Sequence, residues 1–154
     1  MTKKDDFELQ DFLPYLLNQA AERNSLAFQR VYKSRYGMLR TEWRVLFHLG
    51  IYGKLTAGEI SHRAKVHKTK ISRAVHKLHT RRFLTRHPIE SDRRSESLEL
   101  TPAGRAAYQD LRAVAQAHDH QVLAEFAHED IELLKSMGAK HDNCIACDTK
   151  GVIY

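Results

Sequence analysis

The chain of 154 residues lacks several features that mark other protein classes. It has only two cysteines, Cys144 and Cys147, so no disulfide framework can hold the fold. No apolar run approaches the ~18 residues of a membrane span. Acidic residues also stand near the start, where a secretory signal would need an apolar core. These absences predict a cytoplasmic protein without a membrane segment.

Acidic residues are also missing from residues 66–83, VHKTKISRAVHKLHTRRF, which carry six lysines and arginines and three histidines. Within this stretch Ile71, Ala74, Val75 and Leu78 have the spacing of one helical face. A solvated surface helix usually mixes both signs of charge, because pairs at i, i+4 stabilise it. The pattern therefore predicts a helix whose exposed face meets a negatively charged partner. An ordinary solvated basic helix is the simpler alternative.

The positive charge is concentrated in the middle of the chain. Residues 36–101 carry 14 basic and 6 acidic side chains, a net +8, which exceeds the +6 of the whole chain. A basic centre between neutral or acidic flanks is typical of a nucleic-acid footprint. An anionic membrane surface is the rival partner, but no segment there sets large exposed apolar residues beside its lysines. We therefore expect double-stranded DNA as the partner, and no membrane.

Helix signals divide the first half of the chain into four segments. The first begins near residue 11 and is expected to stop at Gly37. A second runs from an N-cap at Thr41 to about Gly50. Thr56 and Glu59 form a T-x-x-E capping box for a third, and the basic helix follows over residues 67–81.

The pattern then changes to short strands. FLTRHPI and SESLEL are strand candidates, with Leu98 and Leu100 inward, and the charged turn ESDRRS joins them. Thr101 and Pro102 begin a long helix. A final helix starts at HEDIELLKSM and is expected to end at Gly138. The order predicts a mainly α fold with a small β-hairpin wing, a winged helix-turn-helix.

The string SDRRSESLELTPAGR resembles the wing of the MarR (multiple antibiotic resistance regulator) family of bacterial transcription factors. TEWRVLFHLG and TAGEISHRAKVHKTKISRAVHKLHTRRFLTR resemble the helices before that wing, and the similarity extends over residues 11–136. It implies one domain, 1–154, with a DNA-binding lobe at 36–101 and dimerisation helices at 1–35 and 102–137. Residues 138–154 form a tail that does not resemble the family.

The resemblance implies a homodimer that binds a pseudo-palindromic operator. Each chain would place its recognition helix, 67–81, in the major groove and its wing, 84–100, at the minor groove, which attracts arginine. Arg94 would enter the minor groove while Asp92 holds its guanidinium. Arg73, Thr69 and Lys70 would contact bases or phosphates. The predicted DNA-binding residues are Lys68, Thr69, Lys70, Ser72, Arg73, Lys77, Asp92, Arg93 and Arg94, of which Lys68, Ser72 and Lys77 position the backbone.

Two residues of the recognition segment depart from the family pattern. Arg82 stands where the family usually has glycine, and a left-handed conformation there would cost a non-glycine residue roughly 1 kcal/mol, so the turn is expected either to differ from that of the family or to be strained. His67 stands at the N-cap of the recognition helix, where Ser or Asp is usual.

The resemblance also implies a small aromatic or phenolic effector that releases a repressor from DNA. Its pocket would lie between the dimer helices and the DNA-binding lobe. Candidate lining residues are Tyr15, Asn18, Tyr32, Trp43, Arg44 and His48. For Trp43 a place in the hydrophobic core is the simpler interpretation.

Two further functions remain open. His141, Cys144 and Cys147 could respond to an oxidant or to zinc, although no fourth ligand is evident and we predict no bound metal or cofactor. An enzyme is the other alternative. The chain has no Gly-rich phosphate loop, G-x-S-x-G or H-E-x-x-H, and we predict no catalytic residue.

Overall fold

Six α-helices and a three-stranded antiparallel sheet form residues 7–144, which the computed structural model describes, with Arg93 and residues 140–144 described by their backbone alone. After a 3-10 turn at Leu9–Asp11, the helices are α1 (Leu13–Tyr36), α2 (Arg40–Tyr52), α3 (Ala57–Ala64), α4 (Lys68–Thr80), α5 (Pro102–Leu123) and α6 (His128–Cys144). The strands are β1 (Leu55–Thr56), β2 (Leu84–Ile89) and β3 (Asp92–Leu100). This arrangement confirms the predicted winged-helix fold. None of the described helices is long and apolar enough to cross a membrane.

The stop of α1 at Gly37 is confirmed, but both predicted ends of α2 are wrong. Gly37 has a left-handed φ of 58°, and its N–H binds the carbonyl of Lys33 at 2.9 Å. Helix α2 begins at Arg40 rather than after Thr41, because the Glu42 carboxylate accepts the N–H of Leu39 at 3.1 Å. It continues through Gly50 to Tyr52. Gly50 is needed there for close packing, since a Cβ would lie 2.4 Å from the Tyr108 ring.

Local side-chain caps start α3 and α4 as the sequence predicts. Thr56 Oγ1 accepts the N–H of Glu59 at 3.2 Å, and the Glu59 carboxylate accepts the N–H of Thr56 at 2.7 Å. His67 Nδ1 accepts the N–H of Thr69 at 3.3 Å, which makes His67 the N-cap of α4. A histidine that caps in this way satisfies one of the free N–H groups of the first turn.

The wing is a hairpin of β2 and β3, with β1 on the other side of β3. Leu98 and Leu100 are buried, as predicted, and Leu98 lies opposite both Leu55 of β1 and Arg86 of β2. The sequence did not predict β1, because two residues are too short for an alternation signal.

Of the two alternatives for the turn from α4 into β2, the structure has the strained one. Arg82 has a φ of 61°, in the left-handed region. The Thr101 hydroxyl donates a hydrogen bond to the carbonyl oxygen of Arg82 at 2.7 Å. The hydroxyl oxygen of Thr101 in turn accepts the N–H of Gly104 at 3.0 Å. Thr101 is thus the predicted cap of α5, and it also ties α5 to the turn.

The predicted end of the last helix at Gly138 is wrong, because α6 continues to Cys144. A glycine inside a helix costs roughly 1 kcal/mol relative to alanine, which weakens a helix without ending it.

The described chain forms two compact units, divided between Ala115 and Gln116. The core of the first unit contains a run of edge-to-face aromatic contacts from Phe28 through Trp43 and Phe47 to Tyr108, with centroid distances of 5.2–5.4 Å. Beneath α4 the same core contains Ile71, Ala74, Val75 and Leu78, all buried. In the second unit Phe126, Leu133 and Leu134 are exposed.

Gly104→Ala should destabilise the protein, because a Cβ at Gly104 would lie 1.9 Å from the carbonyl oxygen of Phe83. Forcing atoms into a packed site costs roughly 1–3 kcal/mol of unfolding free energy. The matched control is Gly58→Ala, where the nearest atom is 3.8 Å away. Urea denaturation should show a clear loss for Gly104→Ala alone, and equal midpoints for the two variants would contradict the close approach.

Candidate nucleic-acid interface

The outer face of α4 is built by the burial of its inner face. Once its four apolar residues are packed, Thr69, Lys70 and Arg73 must point outward, and all three are exposed. Lys70, Arg73 and Lys77 lie along one edge of the helix, where they line a shallow groove with Leu39 and Thr41 beside the start of α2.

The other edge of α4 faces the wing. Lys68 and Ser72 line a groove of about 270 Å³ together with Arg86 and Arg94 of the hairpin. Residues 56–58, at the start of α3, close the same groove. The fold therefore brings Lys68 and Ser72 of α4 and Arg94 of the wing to one groove.

Asp92 does not hold the Arg94 guanidinium, contrary to the prediction. Its Oδ1 accepts the backbone N–H of Arg94 at 3.0 Å, and its Oδ2 accepts the Ser95 hydroxyl at 2.6 Å. These two hydrogen bonds, that of Ser95 first, lower the pKa of the Asp92 carboxyl. An aspartate commonly binds the backbone two residues on, because its side chain is short. Asp92 thus shapes the turn, and Arg94 is exposed. The Arg93 side chain lies outside the described part of the chain.

Lys77 is engaged by an acid that sequence reasoning missed. The buried carboxylate of Glu42 lies 3.4 Å from Lys77 Nζ and 3.8 Å from a guanidinium nitrogen of Arg81. Arg81 also donates to the carbonyl oxygens of Tyr36 and Gly37, and its guanidinium lies 5.2 Å from the centre of the Phe83 ring. The sequence offered one signal for this ion pair, since Glu42 is the one acidic residue of α2.

A pocket of about 210 Å³ lies between α1 and α2 in the first unit. Four of the six predicted residues line it, namely Asn18, Tyr32, Trp43 and Arg44. His48 and Tyr15 do not belong to this lining. His48 Nδ1 lies 2.7 Å from the carbonyl oxygen of Arg44, and its ring packs near Tyr52. Tyr15 comes one turn of α1 before Asn18.

The polar side chains that line the pocket include the donors Arg40, Arg44 and Trp43 and the carboxylate of Glu22. Burial raises the pKa of the Tyr32 hydroxyl, an effect that the Arg40 guanidinium partly opposes. Trp43 Nε1 is buried and has no acceptor among the described residues. Arg40, which the sequence reading missed, donates to Glu22 at 2.8 Å and to Ser25 at 3.0 Å. Such a lining suits a ligand rich in acceptor atoms.

The three candidate residues for sensing an oxidant or zinc lie largely outside the described part of the chain. Cys147 and the side chains of His141 and Cys144 are not among the described groups. Among the side chains that are described, no cluster of three or more His, Cys, Asp or Glu could hold a metal ion.

Comparison with known proteins identifies the lobe. Residues 36–95 match the MarR family. A MarR family transcriptional regulator from Silicibacter pomeroyi is 26% identical, with a TM-score of 0.78 over 91% of this chain and 99% of that one. A MarR/EmrR family regulator from Acinetobacter is 23% identical, with a TM-score of 0.81 over 91% and 99%.

A more distant neighbour is the MepR protein of S. aureus, whose structure is a complex with DNA. It is 15% identical, with a TM-score of 0.75 over 84% of this chain and 96% of that one. No curated protein sequence matches the chain. Residues 36–95 thus match the MarR family, and the fold of the chain is similar to that of MarR family transcriptional regulators.

Proposed function

We propose that the protein is a homodimeric repressor that binds a pseudo-palindromic operator and is released by a small aromatic or phenolic ligand. The observation that carries this proposal is the basic groove formed by α4 and the wing, in the same unit as the pocket between α1 and α2. The neighbour MepR, solved with DNA, supports the nucleic-acid part. Because its target is chromosomal, we propose that it acts in the cytoplasm.

On this surface α4 enters the major groove, with Arg73, Thr69 and Lys70 on its outward side. A major groove roughly 12 Å wide admits one helix, whose outer side chains reach base edges. Lys68 and Ser72, on the edge toward the wing, contact phosphates and set the register. Arg94 projects from the wing into the minor groove, where a planar cation is favoured.

The pocket takes an aromatic acid in this proposal. Two further proteins of similar fold are NadR, 19% identical with a TM-score of 0.72, and Bordetella bronchiseptica BpsR, 17% identical with a TM-score of 0.80. NadR was solved in complex with 4-hydroxyphenylacetate, and 6-hydroxynicotinic acid regulates DNA binding of BpsR. Both ligands combine an aromatic ring with acceptor oxygens. In this chain Arg44 has no ion-pair partner among the described residues, so its guanidinium is available for a carboxylate. The Trp43 indole N–H and the Tyr32 hydroxyl would meet a phenolic or ring acceptor.

Dimerisation is supported by an apolar surface near the start of the chain. Phe12, Leu13, Leu16 and Leu17 are each 40–48% exposed. Large apolar side chains clustered on a surface are typical of a protein–protein interface. A second copy of the chain is the occupant we propose, because two half-sites of a pseudo-palindrome require two recognition helices.

Arg94→Ala should weaken operator binding by about 1–3 kcal/mol, because a charge inserted in the minor groove is lost. Thermal stability should be unchanged, since the side chain is exposed. Arg73→Ala should instead reduce discrimination among operator variants if Arg73 contacts a base. The measurement is a titration at fixed salt on three operator variants. The control, Arg112→Ala, removes an exposed arginine of α5 and should bind as the wild type does; wild-type affinity for Arg94→Ala would refute the role of the wing.

Addition of 4-hydroxyphenylacetate or 6-hydroxynicotinic acid should quench or enhance Trp43 fluorescence and lower operator affinity. Coupling between two sites is typically ~1–3 kcal/mol, or about 5–150-fold in affinity. Arg44→Met should reduce this response and leave ligand-free DNA binding intact. Arg30→Met, an exposed arginine of α1 outside the pocket, is the control. If neither acid changes fluorescence or DNA affinity, the proposed ligand class is wrong.

Leu16→Glu should convert the dimer into a monomer in light scattering and lower operator affinity, because a charge would be buried in the interface. Ile51→Glu is the control, since Ile51 is 58% exposed and lies on α2 away from this surface. A Leu16→Glu variant with the mass of the wild-type dimer would exclude this surface as the interface.

A further inference from the structure

Three cations share one edge of the recognition helix, and only one of them is held by an acid. Lys70 and Arg73 have no ion-pair partner among the described residues, whereas Lys77 Nζ lies 3.4 Å from the Glu42 carboxylate. The Glu42 side chain is 4% exposed, while that of Lys77 is 55% exposed. Glu42 is also the one buried charged residue of the described chain. A buried acid therefore holds a surface lysine that sits beside the DNA-contacting residues.

The cost of burying the Glu42 carboxylate explains why it is paired with Lys77 and Arg81. A carboxylate taken out of water is strongly destabilising unless it is paired and hydrogen-bonded. Glu42 has one backbone donor, the N–H of Leu39, and two cations, Lys77 and Arg81. Arg81 is further fixed by the carbonyl oxygens of Tyr36 and Gly37. Both cations are thus paired with the Glu42 carboxylate, although the side chain of each is partly exposed at the surface.

We infer that Glu42 is a specificity-determining residue that withholds Lys77 and Arg81 from the DNA backbone. Affinity for DNA of any sequence depends on how many phosphates a protein neutralises. Each phosphate contact makes the negative slope of log K against log[salt] steeper by about 0.9. Two cations held by Glu42 add nothing to that slope, so sequence-independent affinity stays low while base contacts are unaffected. The inference rests on the proposed interface at α4.

Lysine substitutions on one helix edge provide the first test. The salt dependence of binding to a mixed-sequence duplex is measured for Lys77→Met and for the matched control Lys70→Met. We expect Lys70→Met to make the negative slope shallower by about 0.9 and Lys77→Met to leave the slope unchanged. Equal losses of slope would overturn the inference and leave the interface standing. An unchanged slope for Lys70→Met would overturn the interface and the inference together.

The acid itself provides the second test, which does not depend on the folding of Lys77→Met. Glu42→Gln keeps an acceptor for the Leu39 N–H but loses the charge. We expect a slope steeper by about 0.9 for each cation released, and a smaller ratio of operator to mixed-duplex affinity. Glu99→Gln is the control, because Glu99 pairs with Lys54 at 3.1 Å in the same lobe and its side chain is 41% exposed, far more than that of Glu42. A purely structural role for Glu42 would lower affinity for both duplexes without steepening the slope, and that result would overturn the inference.

Discussion

Burial of one face of α4 is the constraint on which the rest of the first unit depends. Ile71, Ala74, Val75 and Leu78 are packed into the core, and this packing sets the rotation of the helix about its own axis. Rotation in turn decides that Thr69, Lys70 and Arg73 face outward. The wing is positioned in the same way, because Leu84 and Leu98 are buried in the same core. As a result Arg94 of the wing and Lys68 of α4 line one groove.

The first turns of α2 join the two proposed sites. Glu42 lies against Lys77 and Arg81 of the recognition segment, while Arg40, Trp43 and Arg44 line the pocket. Consecutive residues of a helix point in different directions, so one short segment contacts both surfaces. A ligand that moved this segment would also change the contacts of α4, which would give the proposed effector response a physical route through packed and paired side chains.

Features encoded by neighbouring residues were predictable from the sequence. The stop at Gly37 and the Thr56–Glu59 box each depend on residues close in the chain, whereas the His67 cap and the left-handed Arg82 were expected from the family resemblance. The ends of α2 were not, because its start depends on the Glu42 carboxylate in place of a capping residue, and Gly50 serves the packing of Tyr108. In the pocket, the missed Arg40 is recognisable only once α1 and α2 are packed together, through Glu22 and Ser25.

The sequence by itself determined which residues share a helical face and which segment concentrates positive charge, because periodicity, caps and composition are properties of neighbouring residues. Only the tertiary structure decided which charges are free. Glu42 and Lys77 are distant in the chain and meet because α2 packs on α4. Ion pairing depends on distances of a few ångströms between side chains from different elements, and those distances exist only after the core has formed.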